Sequence, residues 1–207
     1  MIYDRADQAI RDMNRQNLKA FNGLKLAKFD EINLIRQVNG VYDESTRRAR
    51  QRYYELAVEA YILAMIEAGK SNEEATARAD RDIDLSWVLA MLEEVNPVTL
   101  YAFLPEKERK AQRLIEALSE AHDKGKEVDK ALKYWTVQVG QYAINAVDMA
   151  RLEAFYAAGV KKVRWVTEKD ERVCDTCGPM DGKVFRIEDV PQKPHWGCRC
   201  VLECVLD

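Results

Sequence analysis

The chain has no excess of either charge, no long apolar run and almost no histidine. Its 32 basic and 35 acidic residues leave a net charge of −3 over 207 residues. No global field therefore points to a nucleic acid or a membrane, and any such contact has to be local. No run reaches the roughly 18 apolar residues that a membrane-spanning helix needs. Ile2 to Arg15 is charged throughout, without a basic head and an apolar core, so no signal peptide is expected. The expected setting is a reducing cytoplasm, where closely spaced cysteines favour metal or redox chemistry over disulfides. What is present is a 47% hydrophobic content, ample for a real core.

Most of the chain reads as helix. Ile10, Met13, Leu18, Phe21 and Leu24 recur at helical spacing between Asp4 and Asn39, which predicts a long first helix with a bend at Gly23. Asn39-Gly40 reads as its stop. A second helix is expected over about 43–68, with Tyr54, Val58, Tyr61, Ile62, Met65 and Ile66 on its buried face. Its first turns carry Arg47, Arg48, Arg50 and Arg52, readable as a solvated face paired with Asp43 and Glu44 or as phosphate contacts. Ser71-Asn72-Glu73-Glu74 has the form of a capping box, in which a hydroxyl and a carboxylate satisfy orphan backbone donors. A short helix is expected from Asp84, and Asn96-Pro97 and Leu104-Pro105 read as cap-plus-N1 pairs, the second opening a helix to about Ala121. After a break at Gly125, the residues Val128, Leu132, Trp135, Val139, Tyr142, Ala146 and Met149 form an unbroken heptad seam that has to pack on another helix, within the chain or in a second copy. His122, near a helix end, carries no assigned role.

At Ala157-Ala158-Gly159 the pattern changes. Val163, Trp165 and Thr167 alternate with Arg164, Val166 and Glu168 as in a strand, and 183–186 and 200–202 are two further short strands. The expected fold class is α+β: a mainly helical N-terminal region of long helices and hairpins over 1–159, and a small β-rich Cys/His module over 160–207.

The module contains four of the five cysteines at close spacing: Cys174-Asp175-Thr176-Cys177-Gly178, and then His195-Trp196-Gly197-Cys198-Arg199-Cys200. Two thiolates two residues apart can grip one ion, and the following Gly permits a tight turn. Zn²⁺ takes four Cys or His ligands, so Cys174, Cys177, His195 and either Cys198 or Cys200 satisfy it with one Cys to spare. A module with so little apolar content needs such a staple. Three alternatives stand beside it: a redox pair, a catalytic Cys with His195 as base, and thiols that simply pack or form disulfides. Asp170 and Arg172 are read as a bidentate brace for the turn.

The order Trp165, Thr167, Asp170, Arg172-Val173-Cys174, Cys177, Gly182, Phe185, Pro194, His195, Cys198-Arg199-Cys200 resembles the C-terminal module of the phage Mu protein F-like, or SPP1 minor head protein-like, family. The likeness covers roughly 40 residues. The family usually closes on Pro-x-His-Pro-x-Cys-Arg-Cys; here Trp196-Gly197 replaces the Pro and its neighbour. The resemblance implies a minor head protein of a tailed phage or prophage, at the portal vertex, acting in head assembly and DNA packaging or delivery. Its implied partners are the portal and other head proteins, with genomic DNA and a second copy of the chain as further candidates. The implied location is the virion, and the host cytoplasm during assembly, with no membrane contact. Some relatives carry a toxin domain after the module, and none is expected after Asp207. On this reading the protein is not an enzyme: Cys174, Cys177, His195, Cys198 and Cys200 hold the module, and Trp165 and Phe185 fill its small core. The competing readings are a Cys/His enzyme or toxin, and a DNA-binding module using Arg47 to Arg52 with Lys161, Lys162 and Arg164.

Overall fold

The computed structural model describes residues 2–26, 30–95, 102–168, 173–191, 193, 198 and 200–206. Six helices precede three strands among them: α1 (Ile2–Asn22), α2 (Glu31–Glu67), α3 (Asn72–Asp82), α4 (Leu85–Glu93), α5 (Phe103–Glu120), α6 (Lys124–Ala157), β1 (Lys162–Val166), β2 (Val184–Arg186) and β3 (Val201–Val205). The α+β expectation holds. No described helix is long and apolar enough to cross a membrane.

α6 is the central helix, flanked by α1, α2 and α5. The heptad seam faces inward: Val128, Trp135, Val139, Tyr142 and Ala146 are buried, with Leu132 and Met149 packed against them. Its partners lie within the chain. Trp135 and Phe103 centre an aromatic cluster with Tyr42, Tyr53 and Tyr142, at centroid separations of 4.9 to 6.2 Å. Several polar atoms in this core are joined across helices, while the Tyr42 hydroxyl is left without a partner. Trp135 Nε1 donates to Ser45 Oγ at 2.8 Å, Ser45 donates to Asn17 Oδ1 at 2.7 Å, and Tyr53 donates to the Val139 carbonyl at 2.7 Å. The first two bonds tie α6, α2 and α1 in one line, each bond worth roughly 1 kcal/mol net. Gly140 lets α1 approach closely, since a Cβ there would stand 3.3 Å from Ile10 Cγ2.

The N-terminal helices depart from the expected boundaries. The first helix ends at Asn22, just before Gly23, and α2 begins at Glu31 and runs through Asn39-Gly40 without a break. Asp30 caps α2 through Asn33 N, and Val38 and Tyr42 are fully buried on either side of the glycine. Their burial outweighs the roughly 1 kcal/mol that a mid-helix Gly costs. The buried face of α2 is also displaced. It runs through Ala49, Tyr53, Leu56, Ala57, Ala60, Tyr61, Ala64 and Met65, while Tyr54, Val58 and Ile62 are half-buried and Ile66 is exposed. Small alanines allow the close α2–α6 approach, whereas weighting by side-chain size puts the face at the larger residues on its border.

The caps follow the sequence more closely. Ser71 accepts from Glu74 N at 3.1 Å and opens α3, and Asp84 accepts from Trp87 N at 2.8 Å and opens α4. α5 starts at Phe103 behind Ala102, so Leu104 lies inside the helix and Pro105 in its first turn. Asn96-Pro97 lies outside the described residues. Asp123 caps α6, and Gly125 sits inside its first turn. α6 ends in a Schellman motif: Gly159 adopts φ +83°, Gly159 N bonds Tyr156 O, and Val160 N bonds Phe155 O at 3.0 Å. The chain there turns into the sheet.

The sheet is antiparallel in the order β2-β1-β3. Val163 pairs with Phe185 and Cys204, and Trp165 with Leu202. Val163 and Trp165 are buried while Lys162 and Arg164 are exposed, the alternation expected of β1.

Candidate metal centre

Two segments deliver the thiols. After β1 the chain reaches Cys174, whose carbonyl accepts Cys177 N at 3.0 Å and Gly178 N at 2.9 Å. Cys174 Sγ also accepts Cys177 N at 3.3 Å. A turn closed on its own first carbonyl and sulfur aims Cys177 inward, and Gly178–Met180 continues as a 3-10 turn. Gly182, at φ +76°, then returns the chain: its N–H bonds Trp165 O and Lys183 O accepts Trp165 N, both at 2.8 Å. Asp181 fixes the exit of β1 by accepting Thr167 N at 2.9 Å. From the other side, Cys198 and Cys200 lie just before β3.

Cys177, Cys198 and Cys200 are all buried, with their sulfurs within 4.8 Å of one another. Cys177 Sγ and Cys198 Sγ are 3.7 Å apart, well beyond the roughly 2.05 Å of a disulfide. None of the five cysteines forms a disulfide. Trp165 is fully buried against this cluster, with Phe185, Met180, Val173, Cys174 and Leu202 packed around it. Burial pushes the Cys177 thiol above its ordinary value, as do the neighbouring sulfurs of Cys174, Cys200 and Cys198. Burial also raises Cys198. Such thiols stay protonated in water, and a metal cation is what draws thiolates from them. Three buried thiols this close are able to share one metal ion.

Of the residues singled out in the sequence, the fold gathers Cys177, Cys198 and Cys200, and sets Cys174 beside them. Cys198 and Cys200 enter the same cluster rather than competing for one place. His195 lies outside the described residues, as do Asp170, Arg172, Pro194, Trp196 and Arg199. The fifth cysteine, Cys204, stands apart: its Sγ donates to Glu67 O at 3.4 Å, and its N–H donates to Glu67 Oε1 at 2.9 Å.

That last contact belongs to a latch which the sequence does not announce. Arg151 on α6 is 2.7 Å from Glu67 of α2 and donates to the Leu202 carbonyl at 2.9 Å. The Arg151–Glu67 pair thus covers the outer edge of β3 with one donor and one acceptor, a protection that edge strands need. A second tie is Asp148, which accepts from Tyr3 at 2.7 Å and lies 2.5 Å from Lys193. Both ties join residues more than 40 positions apart on charged or polar side chains, and no local pattern marks them.

The basic runs behave as ordinary surface. Arg47 and Arg48 pair with Glu44, and Arg52 with Glu55, while Asp43 is taken by Lys107.

The molecule is therefore a helical body that carries a small antiparallel β module built around buried thiols. Over residues 107–203, from the first turns of α5 into β3, the chain matches the family model described as Phage Mu protein F like protein. No curated protein and no solved structure matches the chain.

Proposed function

We propose that the protein is a structural head-morphogenesis component of a tailed phage or prophage, a minor head protein that associates with the portal vertex during head assembly and DNA packaging or delivery. The observation that carries this reading is the family match over 107–203, which spans α5, α6 and the thiol module together. The role is one of assembly rather than catalysis. Its partners are the portal and other head proteins, and its place is the virion, reached from the host cytoplasm.

Within that role the thiol module is a metal-stapled fold. Two sulfurs held at about 2.3 Å by one tetrahedral zinc stand about 3.8 Å apart, and Cys177 and Cys198 are 3.7 Å apart. The donor set therefore fits Zn²⁺, with Cys174, Cys177, Cys198 and Cys200 as the sulfur ligands and His195 as the alternative to one of them. The metal supplies fold stability to a module of three short strands.

The test is co-assembly. The full chain and the portal protein from the same phage or prophage genome, expressed together, should copurify and cosediment as one complex. A chain that stays separate from portal and head proteins, and whose deletion leaves infectious particle yield unchanged, overturns the assignment.

A further inference from the structure

Far from the thiols, α2, α5 and α6 enclose a cleft of about 200 Å³. Lys110 and Arg113 line it from α5, and Lys130, Glu127 and Tyr134 from α6. Tyr42 of α2 reaches it from the core. That tyrosine is 1% exposed, packed edge-on against Phe21 and Trp135 at 5.3 and 4.9 Å, and its hydroxyl has no hydrogen-bond partner. Buried polar atoms are nearly always paired, so an orphan hydroxyl on a cleft wall asks for a ligand atom. Burial and the nearby Glu106 carboxylate raise Tyr42, so it stays a neutral O–H, able to donate.

The charges around the cleft are incompletely spent. Arg113 is exposed and forms no ion pair among the described residues. Among the described residues, the ion pair of Lys130 is a long 3.8 Å contact with Glu127. Lys110 is 3.1 Å from Glu106 and lies 5.5 Å over the Tyr134 ring, but Glu106 already has Arg109 as a 2.6 Å partner. Three lining cations against one lining carboxylate leave two positive charges, in a chain whose net charge is negative.

We propose that this cleft binds a phosphate group. A phosphate dianion matches the two uncompensated charges. Its oxygens take the paired donors of the Arg113 guanidinium, the ammonium groups of Lys110 and Lys130, and the Tyr42 hydroxyl; a carboxylate has too few oxygens and too little charge to use all four. The phosphate reaches the cleft in one of two forms, a small phosphate ester or the backbone of a polynucleotide. The inference does not depend on the head-assembly reading.

The test uses the full chain in a phosphate-free, low-salt buffer, titrated calorimetrically with inorganic phosphate, a mononucleotide and a short DNA duplex in turn. Inorganic phosphate should bind saturably at one site. Tyr42→Phe, which removes only the hydroxyl, should weaken binding about tenfold, the scale of a hydrogen bond to a charged group. The variant should melt no lower than wild type, because the atom it loses is unpaired. Arg113→Gln should weaken binding about tenfold as well. A duplex response that falls with the same two substitutions identifies a polynucleotide as the source, whereas a response confined to phosphate and mononucleotide identifies a small ester. Absence of saturable phosphate binding, or equal affinity in wild type and both variants, overturns the proposal.

Discussion

The body and the module are held together by different physics. Around Trp135 the body buries whole aromatic rings from α2, α5 and α6, and links several polar atoms into bonds that cross helices. Among its described residues the module has one fully buried large side chain, Trp165, and three buried thiols. A core of the first kind stabilises through area removed from water, at roughly 25 cal/mol per Å². A core of the second kind is too small for that, so its stability rests on the metal proposed for the sulfurs, on the ties to α6, and on the opposite face of the sheet, where Val163 is buried in the body's core with Ile187, Val190 and Leu202 packed against it. The thiol core and the helical core should therefore fail for different reasons.

The sharpest way to break the body is Trp135→Ala. It opens a cavity among Tyr42, Phe103 and the α6 seam and removes the donor to Ser45. A loss of about 3–5 kcal/mol is expected, read as a cooperative fall in the helical signal on denaturation. Arg151→Met cuts the latch between body and module and leaves Glu67 without its cation at the β3 edge. About 2–3 kcal/mol should be lost. Hydrogen exchange should accelerate first at the Cys204 amide, while the α2 and α6 amides stay protected. Equal acceleration in both regions would show that they unfold as one unit.

Gly159→Ala probes the hinge between them. Its φ of +83° is strained for any residue with a Cβ, although open space surrounds the position. A cost of about 1–2 kcal/mol is expected, from the backbone alone. The smallest effect is an acid one, confined to the body. Burial works to raise Glu106, but hydrogen bonds from Arg109 and Lys110 outweigh it and hold the carboxyl below its ordinary 4.5. A folded-state value below the unfolded one means stability that is fully present above about pH 4.5 and is lost as pH falls through the lower, folded value. Between these two values Glu106→Gln should flatten the acid limb of a stability-versus-pH curve, and an unchanged slope would remove Glu106 from the account.

How much of this was readable beforehand follows the same division. The module was legible because its signals are local: alternation at Val163 and Trp165, glycine turns, and cysteine spacing each act within a few residues. The Schellman end at Gly159 and the caps at Ser71 and Asp84 were legible for that reason too. The heptad seam of α6 was visible, because large side chains mark it. The buried face of α2 was not, since alanines mark it and their value lies in letting another helix come close. Asn39-Gly40 misled because a stop signal worth about 1 kcal/mol yields to burial of Val38 and Tyr42 on both sides. The Arg151–Glu67–β3 latch, and the presence of both Cys198 and Cys200 in one cluster, depend on register across the sheet and have no signature in sequence.

We propose that bound metal, more than the burial of Trp165, holds the thiol core of the module. Zinc content and module stability, measured together on protein purified under reducing conditions without chelator, test it most directly. About one zinc per chain is expected. Cys177→Ser should abolish metal binding and melt the β module, while the far-ultraviolet signal of the helices persists. Metal-free protein in which Cys177→Ser leaves the module as stable as in wild type would contradict the claim.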